Sequence, residues 1–361
     1  MPADHSGELA PRDDARAEAA APGATAAAAA AEAERSAPWS KLGRGLGFGI
    51  LLALLVYAGL LFWGDFDGIA RSVRALDPRV ALVACGLSFL NYCVRFPRWQ
   101  RYLTLVDVRL PRGTSFQIYL AGLALTVSPG KMGEALKSWL VRAVDGAPIA
   151  RTAPIVLAER FTDLTGFLVL IAIGSAAGEY AWVPFAASAL VVSMLALVSS
   201  RRAEVYVVEL VSRLPLVAPL APRLAVAASS TRALLAPREL VLATALATLG
   251  WSLECCGAWW VVDAIAPGAA SWLQVTYAFA LAAVAGALAV ILPGGLGVTE
   301  GLLGALLQRA LLAAGIAAEA ARASAVSATL VIRLCTLWFA MALGLLALGL
   351  FRRQHRRAEA R

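Results

Sequence analysis

Leu292-Pro293-Gly294-Gly295-Leu296-Gly297-Val298-Thr299-Glu300 lies deep in apolar sequence, and Ser128-Pro129-Gly130-Lys131-Met132-Gly133-Glu134 occupies a similar setting in the first half of the chain. Proline removes a backbone donor and glycine loosens the chain, so both stretches break a helix. In hydrocarbon every backbone polar group must find a partner inside the protein. A break at membrane depth therefore survives only where it is buried or lines a wet cavity. Two such elbows, each followed closely by a glutamate, predict a built site.

The sequence around the elbows supplies the membrane. The chain is 60% hydrophobic, with a mean hydropathy of +0.72. Several stretches exceed the roughly 18 apolar residues that cross a bilayer. The expected fold is all-α, a polytopic helical membrane protein with about six full spans at 45–63, 80–97, 155–174, 180–199, 240–262 and 323–351. The segments beside the elbows, 115–127 with 131–144 and 271–290 with 299–314, are too short or too charged to cross. They read as two re-entrant half-helix hairpins. An interfacial helix is expected around 69–76.

Loop charge sets the orientation. With the N-terminus inside, the basic loops 98–112, 142–151 and 201–238 fall on the cytoplasmic side with the C-terminal tail. Loops 174–180 and 263–271, which contain no Lys or Arg, fall outside. Arg71, Arg74 and Arg79 run against this pattern and are offset by Asp65, Asp67 and Asp77; Arg309 and Arg322 also fall toward the outside. Both termini are then cytoplasmic, in a cell (inner) membrane. The elbows dip in from opposite faces, and halves at about 78–200 and 236–351 form an inverted repeat of the kind built into transporters. Residues 1–38, rich in Ala, Pro, Glu and Arg, read as a disordered cytoplasmic tail ahead of a transmembrane domain over 39–352, and 353–361 as a basic tail.

Several function classes drop out. The net charge of +8 sits in loops and tails, which is no nucleic-acid signal. Cys85, Cys93, Cys255, Cys256 and Cys335 show no ligand-like spacing, and His5 and His355 lie in the tails. Neither a zinc or haem site nor a histidine triad is expected, and no cofactor. No GxxxxGK[ST] loop is present, so transport would run passively or by ion coupling through Glu134, Asp163 or Glu300.

Charges within the spans carry the functional signal. Glu134, Arg160, Asp163, Glu254, Glu300 and Arg333 would together cost on the order of 15–20 kcal/mol if each faced lipid unpaired. The expected pairs are Glu134–Arg160 and Glu300–Arg333, which either pin the hairpins or line a polar cavity that receives a headgroup. The candidate substrate-binding residues are Lys131, Glu134, Arg160, Asp163, Glu300 and Arg333. The candidate tip residues are Pro129, Gly130, Gly133, Pro293, Gly294, Gly295 and Gly297. Thr329, Arg333 and Thr336 form a polar stripe, and Gly297, Gly301 and Gly304 a small-residue stripe. Glu254 reads equally as a satisfied core acid or a functional group. Arg95, Arg98 and Arg101 read as interfacial side chains reaching for headgroups, and Trp251, Trp259 and Trp260 as packing residues.

The chain resembles the transmembrane region of lysylphosphatidylglycerol synthases, a group of flippase-like membrane proteins. The matching pieces are Arg98-Trp99 with Tyr102-Leu103, the two elbows with their glutamates, Glu159-Arg160 with Asp163, and Arg333. The resemblance implies movement of a phospholipid or other lipid-linked substrate between leaflets, by a protein that is not itself an enzyme. It implies membrane lipids as partners and no nucleic acid. Lysine transfer is not expected of this chain, which ends at Arg361 without the soluble aminoacyl-transferase domain of those enzymes. Similar stand-alone members are associated with hopanoid or polyprenyl-linked glycan pathways. The alternatives are an intramembrane lipid-modifying enzyme and a non-catalytic partner of a lipid or glycan biosynthesis enzyme.

Overall fold

The computed structural model describes residues 39–63, 66–127, 132–177, 230–289 and 292–359, with isolated positions between 182 and 193. The expected tail over 1–38, the first elbow at 128–131, most of the expected span over 180–199 and the basic loop over 201–229 lie outside the described residues.

The described secondary structure is helical. The order is α1 (Trp39–Trp63), α2 (Phe66–Ala75), α3 (Pro78–Leu105), α4 (Arg112–Ala121) with a 3-10 turn (Gly122–Leu125), α5 (Met132–Asp145) and α6 (Ile149–Gly174). It continues with α7 (Pro237–Ile265), α8 (Trp272–Leu288), a 3-10 elbow (Pro293–Gly295), α9 (Val298–Ala313), α10 (Ala318–Arg333), a π-turn (Leu334–Trp338) and α11 (Phe339–Glu359). Local chemistry explains the starts. Asp77 Oδ1 accepts the Arg79 amide at 2.8 Å ahead of Pro78, satisfying an orphan donor where proline needs none. Ser271 and Gln274 cap α8 reciprocally. The expected surface helix is α2, which buries Gly68 and Ile69 and packs on α10.

Among the described residues three helical stretches are long and apolar enough to cross a membrane: Pro78–Leu105, Pro237–Ile265 and Ala318–Gln354. A fourth arises if α1 and α2 count as one bent span. The expected spans at 155–174 and 180–199 are not among them. Helix α6 has 26 residues, enough length, but Glu159, Arg160 and Asp163 interrupt its apolar run. The expected span at 180–199 falls largely outside the described residues.

One succession occurs twice: a long helix, a short helix, a break, a short helix, a long helix. The long helices that open each succession, α3 and α7, run antiparallel. Ala84 lies beside Gly257, Asn91 bonds to Glu254, and Arg101 pairs with Glu239. The flanks of the two breaks meet. A Cβ placed on Gly294 would lie 3.4 Å from the Thr126 carbonyl oxygen, and one on Gly344 only 2.2 Å from the Ala124 amide nitrogen. Helix α11 therefore rides directly on the first 3-10 turn, an approach open only to glycine.

Burial separates into layers along these helices. One apolar cluster joins Val80 and Ala84 of α3, Phe167, Leu168, Leu170 and Ile171 of α6, the C-terminal part of α7, and parts of α8, α9 and α10. A second joins Tyr92, Trp99 and Tyr102 of α3, Ile155, Ala158 and Phe161 of α6, the start of α7, and parts of α4, α5 and α11. Between them lies a belt of buried polar side chains that includes Asn91, Arg95, Lys137, Glu159, Asp163, Glu254 and Arg333. Leu82, Val241, Leu249, Leu288, Leu334 and Leu346 point outward and are more than half exposed, as expected of a body whose solvent is hydrocarbon.

Candidate functional site

The second elbow is a clamped backbone. Gly294, Gly295 and Gly297 have φ of 61°, 68° and 87°, the left-handed region that side chains enter at a cost. Arg333 Nη2 donates to the Gly294 carbonyl at 3.2 Å, and Arg333 Nε donates to Glu300 Oε1 at 2.6 Å. Glu300 Oε2 accepts the Gly297 amide at 2.7 Å. One ion pair thus ties both sides of the elbow to α10. Glu300 is fully buried with both oxygens engaged. The π-turn follows Arg333 at once. Such widened turns insert an extra residue and are common at functional sites; here Arg333, Thr336, Leu337 and Ala340 all line one cavity.

Helices α5 and α6 are tied differently. Lys137 of α5 pairs with Glu159 of α6. The aliphatic part of Lys137 runs over Gly122, where a Cβ would come within 2.5 Å of it. Its ammonium stands 4.8 Å from the Trp99 ring centroid and 5.5 Å from that of Tyr119, placing the cation over aromatic faces. Asp163 holds two guanidinium groups, Arg95 at 2.5 Å and Arg98 at 2.9 Å, with Arg160 at 3.7 Å. Arg98 also donates to Thr162 Oγ1 at 2.9 Å. Arg95 stacks over Trp251, 4.5 Å from the ring centroid. Arg95 Nε, Arg98 Nε and Arg98 Nη2 have no hydrogen-bond partner.

Arg95 and Arg98 correct the sequence expectation. They are 6% and 2% exposed, turned into the protein rather than out to the membrane surface. Asn91, Arg95, Arg98 and Tyr102 recur at helical spacing, and that stripe was the available signal. Arg101 alone is substantially exposed, and it grips Glu239 through two hydrogen bonds of 2.8 and 2.5 Å. Lys137 and Glu159 likewise belong to the site without having been singled out for it.

A cavity of about 340 Å³ opens in the charged belt. Both halves line it. Arg95, Lys137, Arg160 and Arg333 supply cations, Glu159, Asp163 and Glu254 supply acids, and Tyr92, Trp251, Phe167 and Phe279 supply apolar wall. Of the candidate binding residues, the structure brings Arg160, Asp163 and Arg333 together at this cavity, alongside Gly294 and Gly295 of the tip. Glu300 sits behind Arg333. Lys131, Pro129 and Gly130 lie outside the described residues, as do the side chains of Glu134 and Pro293, while Gly133 falls in the first turn of α5. Arg160 faces Asp163 on its own helix. The glycine stripe is used unevenly: a Cβ on Gly304 would meet Thr329 Oγ1 at 3.6 Å, whereas Gly301 faces open space.

Long apolar helices with charges buried between them and a cavity at their broken segments define a multi-pass membrane protein of the helical class. Comparison with known families agrees. The family described as the lysylphosphatidylglycerol synthase TM region matches residues 50–344, and the chain belongs to it. This places the protein among membrane proteins of lipid handling. No curated protein matches the chain.

Proposed function

We propose that the cavity receives the phosphate-bearing headgroup of a membrane lipid, and that the protein moves such lipids between leaflets without chemically altering them. One observation carries this reading. A volume of about 340 Å³ in the charged belt is walled by four cations and three acids from both halves. That volume lies at the small end of ligand pockets, suited to a headgroup whose chains stay in lipid. Arg95, whose Nε has no hydrogen-bond partner, lines the cavity, and the guanidinium fork is shaped for phosphate oxygens.

The same geometry supports an inverted repeat. Equivalent helices α3 and α7 run antiparallel, and the flanks of the two breaks abut, as in transporters whose site lies where two oppositely oriented halves meet. In the proposed orientation the loop after α3 and both termini face the cytoplasm, and the loop after α7 faces out. Single-cysteine reporters at Asp107 and Gly268, each in one of those loops, would then react with impermeant thiol reagents from opposite sides. Labelling of both from one side refutes the inverted arrangement.

Transport is tested in proteoliposomes carrying fluorescent phospholipids. Wild type is expected to exchange anionic lipid between leaflets faster than protein-free vesicles, and Arg95→Ala and Arg333→Ala to be slower than wild type. Wild type no faster than empty vesicles, for any phospholipid offered, defeats the proposal. Unchanged exchange in both variants keeps transport and removes the headgroup from this cavity.

A further inference from the structure

The buried acids differ in one respect. Glu159 is paired with Lys137, Asp163 with Arg95 and Arg98, Glu239 with Arg101, and Glu300 with Arg333. Among the described buried acids, Glu254 alone has no cation at ion-pair distance. It is 4% exposed, it lines the cavity, and its hydrogen-bond partner is neutral: Asn91 Nδ2 donates to Glu254 Oε1 at 2.7 Å. An ionised carboxylate held only by an amide, between two apolar clusters, bears its desolvation cost without a counter-ion. The opposite side of the pair points the same way. Asn91 Oδ1 is buried and has no donor, so the Asn91–Glu254 pair holds one acceptor too many. A proton on Glu254 supplies a donor.

The groups facing Glu254 bear on what that proton does. They are Tyr92 and Arg95 from α3, Asp163 from α6 and Arg333 from α10, with Cys255 beside it on α7. From α8, Thr276 brings a neutral hydroxyl near Cys255. The two arginines also line the cavity. With Glu254 ionised, three acids oppose four cations along the wall. With Glu254 neutral, two remain, and the attraction for an anion rises without any movement of the helices.

We infer that Glu254 is a proton-binding site coupled to the cavity, such that a proton and an anionic lipid headgroup bind together. The inference rests on the proposed headgroup site. By linkage, the anion raises proton affinity by the same factor that the proton raises anion affinity. Where the two travel together, a proton gradient can drive an anionic lipid in one direction.

The test uses the full chain purified in detergent, with short-chain phosphatidylglycerol as the anionic probe and short-chain phosphatidylcholine as the zwitterionic one. Binding is measured from about pH 5 to about pH 9, a range spanning buried carboxyl titrations. Wild type should bind phosphatidylglycerol more weakly at the alkaline end, by about tenfold, a usual size for coupling between two sites. Glu254→Gln, which keeps the Asn91 bond and mimics the protonated acid, should hold the acid-side affinity throughout. A flat profile in wild type, or the same alkaline loss in Glu254→Gln, overturns the inference. If wild type binds no anionic probe at any pH, the headgroup site itself fails. Infrared spectroscopy then decides for the proton: a protonated-carboxyl band present in wild type and lost in Glu254→Gln retains Glu254 as a proton site, and its absence removes it.

Discussion

Asp163 anchors the belt, and Asp163→Asn tests the electrostatic account most directly. In wild type one carboxylate neutralises Arg95 at 2.5 Å and Arg98 at 2.9 Å, joining α3 to α6. At an effective dielectric constant near 20, each contact has a gross attraction of about 6 kcal/mol. Most of that offsets the desolvation of three charges. Removing the carboxylate charge leaves two buried guanidinium groups, and breaking a buried pair from one side costs about 3–5 kcal/mol. The assay is reversible unfolding of the full chain in mixed micelles, followed by tryptophan fluorescence. The double variant Asp163→Asn/Arg98→Met separates lost attraction from stranded charge. It removes one orphaned guanidinium and fills its volume with an apolar chain, so it should be more stable than Asp163→Asn alone. If Asp163→Asn unfolds with wild-type stability, or the double variant is worse than the single by the full cost of Arg98→Met, the belt is not held together by these pairs.

Other consequences follow from contacts already described. Glu300→Ala removes the acceptor of the Gly297 amide, so hydrogen exchange across 292–300 should accelerate while the helices far from the elbow stay protected. Unchanged exchange there would show that the clamp does not order the elbow. Gly344→Leu forces a side chain onto the backbone at Ala124 and should destabilise by about 1–3 kcal/mol, the usual cost of overpacking; Gly349→Leu on the same helix, where a Cβ meets nothing within 4 Å, should leave stability unchanged. Gly250→Val drives a branched side chain against Asn91 Oδ1 and the Arg95 stem, which a Cβ would already approach to 2.6 and 2.8 Å. Lipid exchange should fall in that variant, and unaltered exchange would show that the Arg95–Asn91 face is not needed for transport.

The sequence was most legible where chemistry was expensive. The helix break at Pro293-Gly294 announced the second elbow, where Gly294 and Gly295 take left-handed backbone. The cost of Glu300 and Arg333 in hydrocarbon predicted that they pair, and they do, at 2.6 Å. The interior position of Arg95 and Arg98 was less legible because Pro97, Trp99 and Arg101 beside them read as a helix end at the membrane surface. Helix α3 instead continues through Pro97 to Leu105, and the arginines turn inward to Asp163. Lys137 was hidden for another reason. Its place depends on Gly122 leaving room for its stem and on Trp99 and Tyr119 presenting ring faces, three positions that no local spacing links.

Two buried ion pairs, one beside each short-helix break, share a mechanical plan with the signs reversed. In the first, the outgoing helix α5 contributes the cation, Lys137, and the following long helix α6 contributes the acid, Glu159. In the second, the outgoing helix α9 contributes the acid, Glu300, and the following helix α10 contributes the cation, Arg333. Each pair joins two neighbouring helices, and removing one partner would strand the other charge in the interior. Their relation to the cavity differs. Lys137 and Glu159 both line it, whereas in the second pair Arg333 lines it and Glu300 is turned away to hold the Gly297 amide. Burying one acid behind the elbow therefore leaves cations in excess on the wall. The same glutamate that fixes the second elbow thus also tips the charge that the cavity wall presents.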